Sequence, residues 1–355
     1  MTTFMQGRWK VAGIAATFVV LSLAACSSGT GATTAPASAG ATTAPASAGA
    51  TTAPASAGAT TAPASAGGKT VGIVGFDTTS YMDKTFAEST AAYLQSAGFQ
   101  VLSQDPKGDL GQANTICSQY VTRKVDALVV TTFALDQMAQ CMAQTKAANI
   151  PVFFIASPLV AGMSGAVDVT APPPINDVFI KYLKDNQITA TLALDYSPGT
   201  PCRMRAAYRE DQLAKSGLAV KETKFEFHIP GQVVESQSAT AAWLAAHPAG
   251  SGKFAIWSCF ADSSSGAVAA LNQVGRNDAP IFTWDLTKAI VPAIQSGQIE
   301  ADLFLDAKKV GEQTAQLVEG YLNGNTTPKG VAAANVILNK GNIDQFLKDN
   351  PDVIK

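Results

Sequence analysis

Five cysteines and two histidines are the side chains best suited to covalent or metal chemistry, and their spacing leaves little of it available. His228 and His247 are far apart, and His247 precedes Pro248 in a stretch that reads as loop. No GxSxG or HExxH motif supplies a nucleophile or a zinc-bound water. No two cysteines form CxxC, which argues against zinc and thioredoxin-like chemistry. A secreted hydrolase lacks its parts, and neither a cofactor nor a metal is expected. Non-covalent chemistry remains, carried by carboxylates, arginines and aromatic rings near strand ends.

Cys26 has a different role. It closes Leu23-Ala24-Ala25-Cys26, a run that resembles the lipobox of bacterial lipoproteins. Upstream lie Arg8 and Lys10, then an apolar stretch from Val11 to Ala25, the layout of a charged n-region and an h-region. Fifteen residues at about 1.5 Å each reach roughly 22 Å, short of a membrane span. Residues 1–25 therefore read as a signal peptide, and Cys26 as the lipid-bearing first residue of a mature chain on the extracytoplasmic face of the cell membrane. From Ala32 to Gly67 the nonapeptide ATTAPASAG is repeated four times. Such repeats offer no large apolar side chain to bury, so residues 26–68 read as a lipidated cysteine and a disordered tether. Forty-odd residues give a root-mean-square reach of roughly 35 Å.

Composition narrows the class further. Formal net charge is −2 for 355 residues, and removing Arg8 and Lys10 with the signal peptide makes it −4. That balance excludes a nucleic-acid partner. A hydrophobic content of 47 % supports a large core, and the length suggests about two domains.

From Lys69 the chain alternates strand and helix. Strands are expected at Thr70–Gly75, Gln100–Ser103, Asp126–Val130 and Pro151–Ile155. Between them lie helices marked by Phe86, Thr90, Tyr93 and Leu94, by Ala113, Ile116, Cys117 and Tyr120, and by Leu135, Met138 and Met142. Ser80-Tyr-Met-Asp83 fits a capping box at the first helix. After Ala171-Pro172-Pro173-Pro174 the alternation restarts, with strands at Thr189–Leu194, Lys224–His228, Lys253–Trp257 and Ile281–Thr283. Helices are expected over Asp177–Lys184, Met204–Lys215 and Ser238–Ala246, and from an Asp262 cap to Gly275. This implies α/β architecture with two doubly wound, mainly parallel lobes.

Local patterns give the two lobes a family likeness. Asp126-Ala-Leu-Val-Val with Asn149-Ile-Pro-Val-Phe, Gly199-Thr-Pro-Cys-Arg-Met-Arg205, Ala261-Asp262-Ser-Ser-Ser-Gly266, Phe282-Thr-Trp-Asp285 and Gly297-Gln-Ile-Glu-Ala-Asp302 resemble, in this order, motifs of the type I periplasmic binding proteins. These are the sugar-binding subunits of bacterial ABC importers. The likeness spans essentially Lys69 to Lys355. It implies a three-segment hinge, with crossings near Pro172–Pro174, Leu303–Asp306 and Gly330–Ala333. One lobe would hold residues 69–172 and 306–331, the other 173–305 and 332–355. A ligand would sit between them at the carboxyl ends of the strands.

The resemblance also implies a site. Asp285 would accept from ligand hydroxyls, and Arg203 would donate, with Arg205 as the alternative register. Phe76, Asp77 and Tyr81 would supply stacking rings and a polar partner. Thr132, Phe133, Ser157, Asp262 and Trp284 complete the set. The chain departs from the family pattern at three points: Ala156 and Ser157 stand where an Asp-Arg pair is common, Leu305 where a glutamine is, and Ala261 where an asparagine precedes the aspartate. Four cysteines allow three pairings. Cys117 and Cys141 fall on successive helices flanking one strand, and Cys202 lies in the arginine loop with Cys259 after a neighbouring strand; these pairs are expected as disulfides. The expected function is capture of a small molecule, most simply a sugar, by a monomeric, lipid-anchored protein that hands it to an ABC permease. A ligand sensor of the same fold, or a binder of a non-sugar molecule, is the alternative.

Overall fold

A computed structural model describes residues 68–170 and 174–354. Cys26, the signal peptide, the repeats, Pro172 and Pro173 lie outside the described residues. Ten helices and twelve strands occur among those that are described.

The first lobe opens with β1 (Thr70–Val74), α1 (Tyr81–Ser96), β2 (Gln100–Gln104), α2 (Leu110–Thr122), β3 (Ala127–Thr131), α3 (Ala139–Ala147), β4 (Val152–Ile155) and β5 (Gly165–Asp168). The second holds α4 (Pro174–Asp185), β6 (Ala190–Asp195), α5 (Thr200–Ser216), β7 (Lys221–Glu226), α6 (Gln232–Ala246), β8 (Phe254–Ser258), α7 (Ala261–Gln273), β9 (Ile281–Trp284), α8 (Val291–Ser296) and β10 (Ile299–Leu305). The chain then returns: α9 (Ala307–Leu322) packs on α1, and β11 (Lys329–Ala332) joins β5. β12 (Asn335–Leu338) and α10 (Ile343–Asp349) finish in the second lobe.

Each lobe is a six-stranded sheet, ordered β11-β5-β4-β3-β1-β2 and β12-β10-β9-β8-β6-β7. All pairings are parallel except β10 with β12. Central strands β3 and β8 are buried at every residue, as a parallel sheet covered on both faces requires. Edge strands β2 and β7 keep exposed positions. Among the described residues no helix is long and apolar enough to cross a membrane.

Several elements differ from their sequence-based placement. Gly330–Ala332 pair with β5 in the first sheet, so the last passage between sheets falls at Ala333–Ala334. β5 itself had no recognisable signal, because Gly165-Ala-Val-Asp168 is short and contains one large apolar residue. α5 begins at Thr200 with Pro201 in its first turn, four residues before the expected Met204. Asp262 lies inside the first turn of α7, whose N-cap is Phe260, so it does not cap that helix.

In both lobes one helix pair is packed too tightly for any side chain. A Cβ on Gly311 of α9 would come within 2.8 Å of the Phe86 carbonyl oxygen of α1, and one on Gly266 of α7 within 2.8 Å of the Gln237 nitrogen of α6. Backbone cannot yield as a flexible side chain can. Gly266→Ala is therefore expected to lose about 1–3 kcal/mol in urea denaturation. Gly320→Ala in α9, where a Cβ meets nothing within 4 Å, should be neutral or gain up to about 1 kcal/mol.

Candidate functional site

Strand ends of the two sheets face each other across a cleft. Its cavity, about 50 Å³, is lined from the first lobe by Phe76, Ser80, Met82, Asp83, Phe86, Thr132 and Val169. The second lobe contributes Tyr196, Gly199, Pro201, Cys202, Arg205, Ile229, Phe260 and Asp285. Six of these lie one or two residues past a strand: Phe76 after β1, Thr132 after β3, Val169 after β5, Tyr196 after β6, Phe260 after β8 and Asp285 after β9.

The rings form a continuous apolar floor. Phe76 lies 4.7 Å from Phe133 and meets Tyr196 edge-on at 6.1 Å. Tyr196 stacks on Phe227 at 5.6 Å and 10°, and Phe227 meets Phe260 at 5.6 Å. Aromatic faces of this kind suit the C–H faces of a small ligand. Main chain also joins the lobes: the Thr200 N–H donates to the Thr132 carbonyl at 3.1 Å, and the Gln137 amide donates to the Pro198 carbonyl at 3.1 Å.

On the second-lobe wall, Arg205 is almost wholly buried. Its Nη1 donates to Asp285 Oδ2 at 3.1 Å and to the Cys259 carbonyl at 2.7 Å, and its Nη2 donates to Asp285 Oδ1 at 3.4 Å. The guanidinium lies 5.2 Å from the Trp284 ring centre. Burial pushes the Asp285 carboxyl above its ordinary range, and Arg205 pulls it back. Asp302 on β10 is buried nearby, neither carboxylate oxygen has a partner, and burial pushes its carboxyl well up.

On the first-lobe wall, the Thr132 hydroxyl donates to Asp83. Burial pushes the Asp83 carboxyl from 3.8 up to about 7, against the hydrogen bonds of Thr132 and Ser80 and with a smaller push from Asp285 and Asp77. Burial, followed by Asp83, Asp77 and Glu226, also raises the Tyr196 phenol.

The structure brings Phe76, Thr132 and Asp285 to the cavity and backs Phe76 with Phe133. It places the other candidates elsewhere. Arg203 is two residues from Arg205, about 200° around the helix, and its exposed side chain lies 3.9 Å from Asp136. The cleft arginine is Arg205. Asp77 closes its own turn, accepting from the Thr79 N–H at 2.7 Å and from the Thr79 hydroxyl. Tyr81 faces an outer groove, where its hydroxyl donates to the Val353 carbonyl at 3.5 Å. Ser157 is buried and donates to the Pro158 carbonyl at 3.2 Å. Asp262 accepts from Gln232 at 3.3 Å. Trp284 is core: it meets Trp257 edge-on at 5.0 Å and lies against Arg205, so it braces the site without facing the cavity.

Asp83, Tyr196 and Phe260 escaped the sequence reading. Asp83 looked like the acidic end of a capping box, and Ser80 does cap α1, accepting from the Asp83 N–H at 3.5 Å. Tyr196 and Phe260 did carry a signal, a large aromatic residue just past an apolar strand. Cys117 is joined to Cys141 and Cys202 to Cys259, with Cα separations of 5.7 and 5.2 Å.

Residues 176–326, from α4 to α9, match a family profile described as a periplasmic binding protein domain. The fold is that of a type I periplasmic binding protein. A comparison with curated proteins finds no match. Solved structures share the fold at low identity. An ABC transporter solute-binding protein from Agrobacterium vitis, with bound allitol, has a TM-score of 0.73 at 20 % identity, covering 79 % of this chain and 99 % of that one. One from Mycobacterium smegmatis, with bound glycerol, has a TM-score of 0.69 at 21 % identity, covering 79 % and 96 %. The arabinose ABC transporter binding protein of Shewanella sp. ANA-3, bound to L-arabinofuranose, gives 0.68 at 17 %, covering 79 % and 95 %.

Two predictions test the site's electrostatics in this binding-protein fold. Arg205→Ala leaves the Asp285 carboxylate buried without its cation and should cost about 3–5 kcal/mol in urea denaturation, whereas Arg203→Ala at the surface should stay within about 0.5 kcal/mol. The raised Asp83 carboxyl means that the folded protein holds a proton the unfolded chain releases between pH 3.8 and about 7. Stability should therefore fall as pH rises through that window and level off above it. In Asp83→Asn the fall should be shallower; an unchanged slope would show that the Asp83 carboxyl is not sheltered.

Proposed function

We propose that this protein is an extracytoplasmic solute receptor that closes its two lobes around a small hydroxylated molecule, a sugar or polyol, and delivers it to an ABC importer. The observation that carries the reading is the interlobe cavity. It pairs an aromatic floor with hydroxyl-binding groups from both lobes: Thr132 and Asp83 on one side, Arg205 and Asp285 on the other. A ligand that touches both walls is held only when the lobes are together, so binding shifts the balance toward the closed form. The sugars and polyols bound by proteins of the same fold support this class of ligand.

Delivery needs no covalent step by this chain. A lipid on Cys26 would hold the protein at the outer membrane surface, and the repeated ATTAPASAG segment would give it reach toward a permease. Two cystine bonds fit a chain that works outside the reducing cytoplasm. The protein would act as a monomer.

Thermal-shift titration with pentoses, hexoses, polyols and glycerol tests the reading. A ligand at a hundredfold excess over its Kd stabilises by about 2.7 kcal/mol. With the ligand so found, Thr132→Val should lose about 1 kcal/mol of binding, roughly fivefold in Kd. Tyr81→Phe and Ser157→Ala should bind like the parent. Absence of any shift across the panel would count against a sugar or polyol ligand.

A further inference from the structure

Resting on that receptor reading, we infer that the ligand carries a positively charged nitrogen beside its hydroxyls, and that Asp83 is its counter-ion. Three charged side chains line the cavity: Asp83, Arg205 and Asp285. Arg205 and Asp285 neutralise each other through two hydrogen bonds. Asp83 is therefore the one acidic group of the wall without a cation of its own, and a ligand that brings one would draw off its proton and leave the wall with a single, paired negative charge.

Thr132 offers Asp83 a hydrogen bond, but among the described residues no cation faces it. Asp83 is buried, and it forms no ion pair among the described residues. Its neighbour Lys84 turns outward to Glu88 at 3.9 Å, and Arg203 turns outward to Asp136. The charged and titratable groups facing Asp83 from the ends of β1, β6 and β9 are Asp77, Tyr196 and Asp285; Arg205 of α5 is already committed to Asp285. Burial without a cation also raises the carboxyl, the direction that an arriving ammonium would reverse.

The rest of the lining favours the same ligand. Phe76, Phe86, Tyr196 and Phe260 surround the cavity with aromatic rings, and a ring face attracts a cation. A neutral polyol would meet the rings and the hydroxyls but would bring Asp83 no counter-ion. An amino alcohol or amino sugar would meet all three. At about 50 Å³, the cavity suits a small ligand.

Isothermal titration of the full chain against matched pairs tests this: serinol with glycerol, glucamine with glucitol, and glucosamine with glucose. The amine member of at least one pair should bind at least tenfold more tightly than its neutral partner. Asp83→Asn should reduce that preference below about threefold, with its fold checked by circular dichroism. Thr132→Val removes the hydroxyl but keeps the carboxylate, and should retain the preference. Binding in which no pair shows an amine preference overturns the counter-ion role and leaves the receptor reading standing. So does an amine preference that survives Asp83→Asn. Binding by no member of any pair counts against both readings.

Discussion

A guanidinium cut off from water must find acceptors for its N–H groups within the protein, and the second lobe is arranged around that demand. Arg205 ties α5 to the ends of β8 and β9 through the Cys259 carbonyl and the Asp285 carboxylate, with the Trp284 ring at its face. One helical turn later, Arg209 repeats the arrangement at the end of β6. It donates to Asp195 at 2.8 and 3.1 Å and lies 4.2 Å from the Trp257 ring centre. Its Nε sits 3.1 Å from a Glu222 oxygen, within ion-pair range but off the hydrogen-bonding direction. The buried face of α5 is thus cationic. Such pairs add little net stability over a hydrophobic contact, but they leave few alternative arrangements for the helix on the sheet. The cleft wall inherits that fixity.

The cleft side of the fold also concentrates backbone strain. Thr132, Ala156 and Asp285 have φ of +62°, +64° and +71°, and each directly follows or nearly follows a strand that ends at the cleft. Non-glycine residues adopt this conformation at a cost, and they persist where surrounding bonds fix them. For Thr132 those bonds run to both lobes: its N–H donates to the Ile155 carbonyl, and its own carbonyl accepts from Thr200. For Asp285 the N–H donates to the Leu303 carbonyl. The sharp turns aim the Thr132 hydroxyl and the Asp285 carboxylate at positions that an extended strand end could not reach.

The strand and helix alternation was legible because the central strands are unbroken apolar runs and most helices carry helical spacing. β5 and β11 were not, since neither has enough large apolar residues to stand out, and both gain their place from parallel neighbours. The site was legible where a residue follows a strand, as with Phe76, Thr132 and Asp285. It was illegible where helical phase decides. Sequence placed Arg203 and Arg205 in one loop, and only the start of α5 at Thr200 fixes which of them turns inward. Asp83 was hidden by a second grammar, since the same Ser-x-x-Asp spacing that starts a helix delivers a carboxylate to the cleft.

Cys259 is joined to α5 twice, once by its sulfur to Cys202 and once by its carbonyl to Arg205, three residues further along the same helix. Two attachments one helical turn apart act as a chelate. Once the first is made, the second closes within a small ring, at an effective concentration that no freely diffusing pair would reach. The cystine therefore contributes more than a cross-link between distant segments: it holds the Cys259 carbonyl beside the turn of α5 that carries Arg205, where the buried guanidinium needs an acceptor.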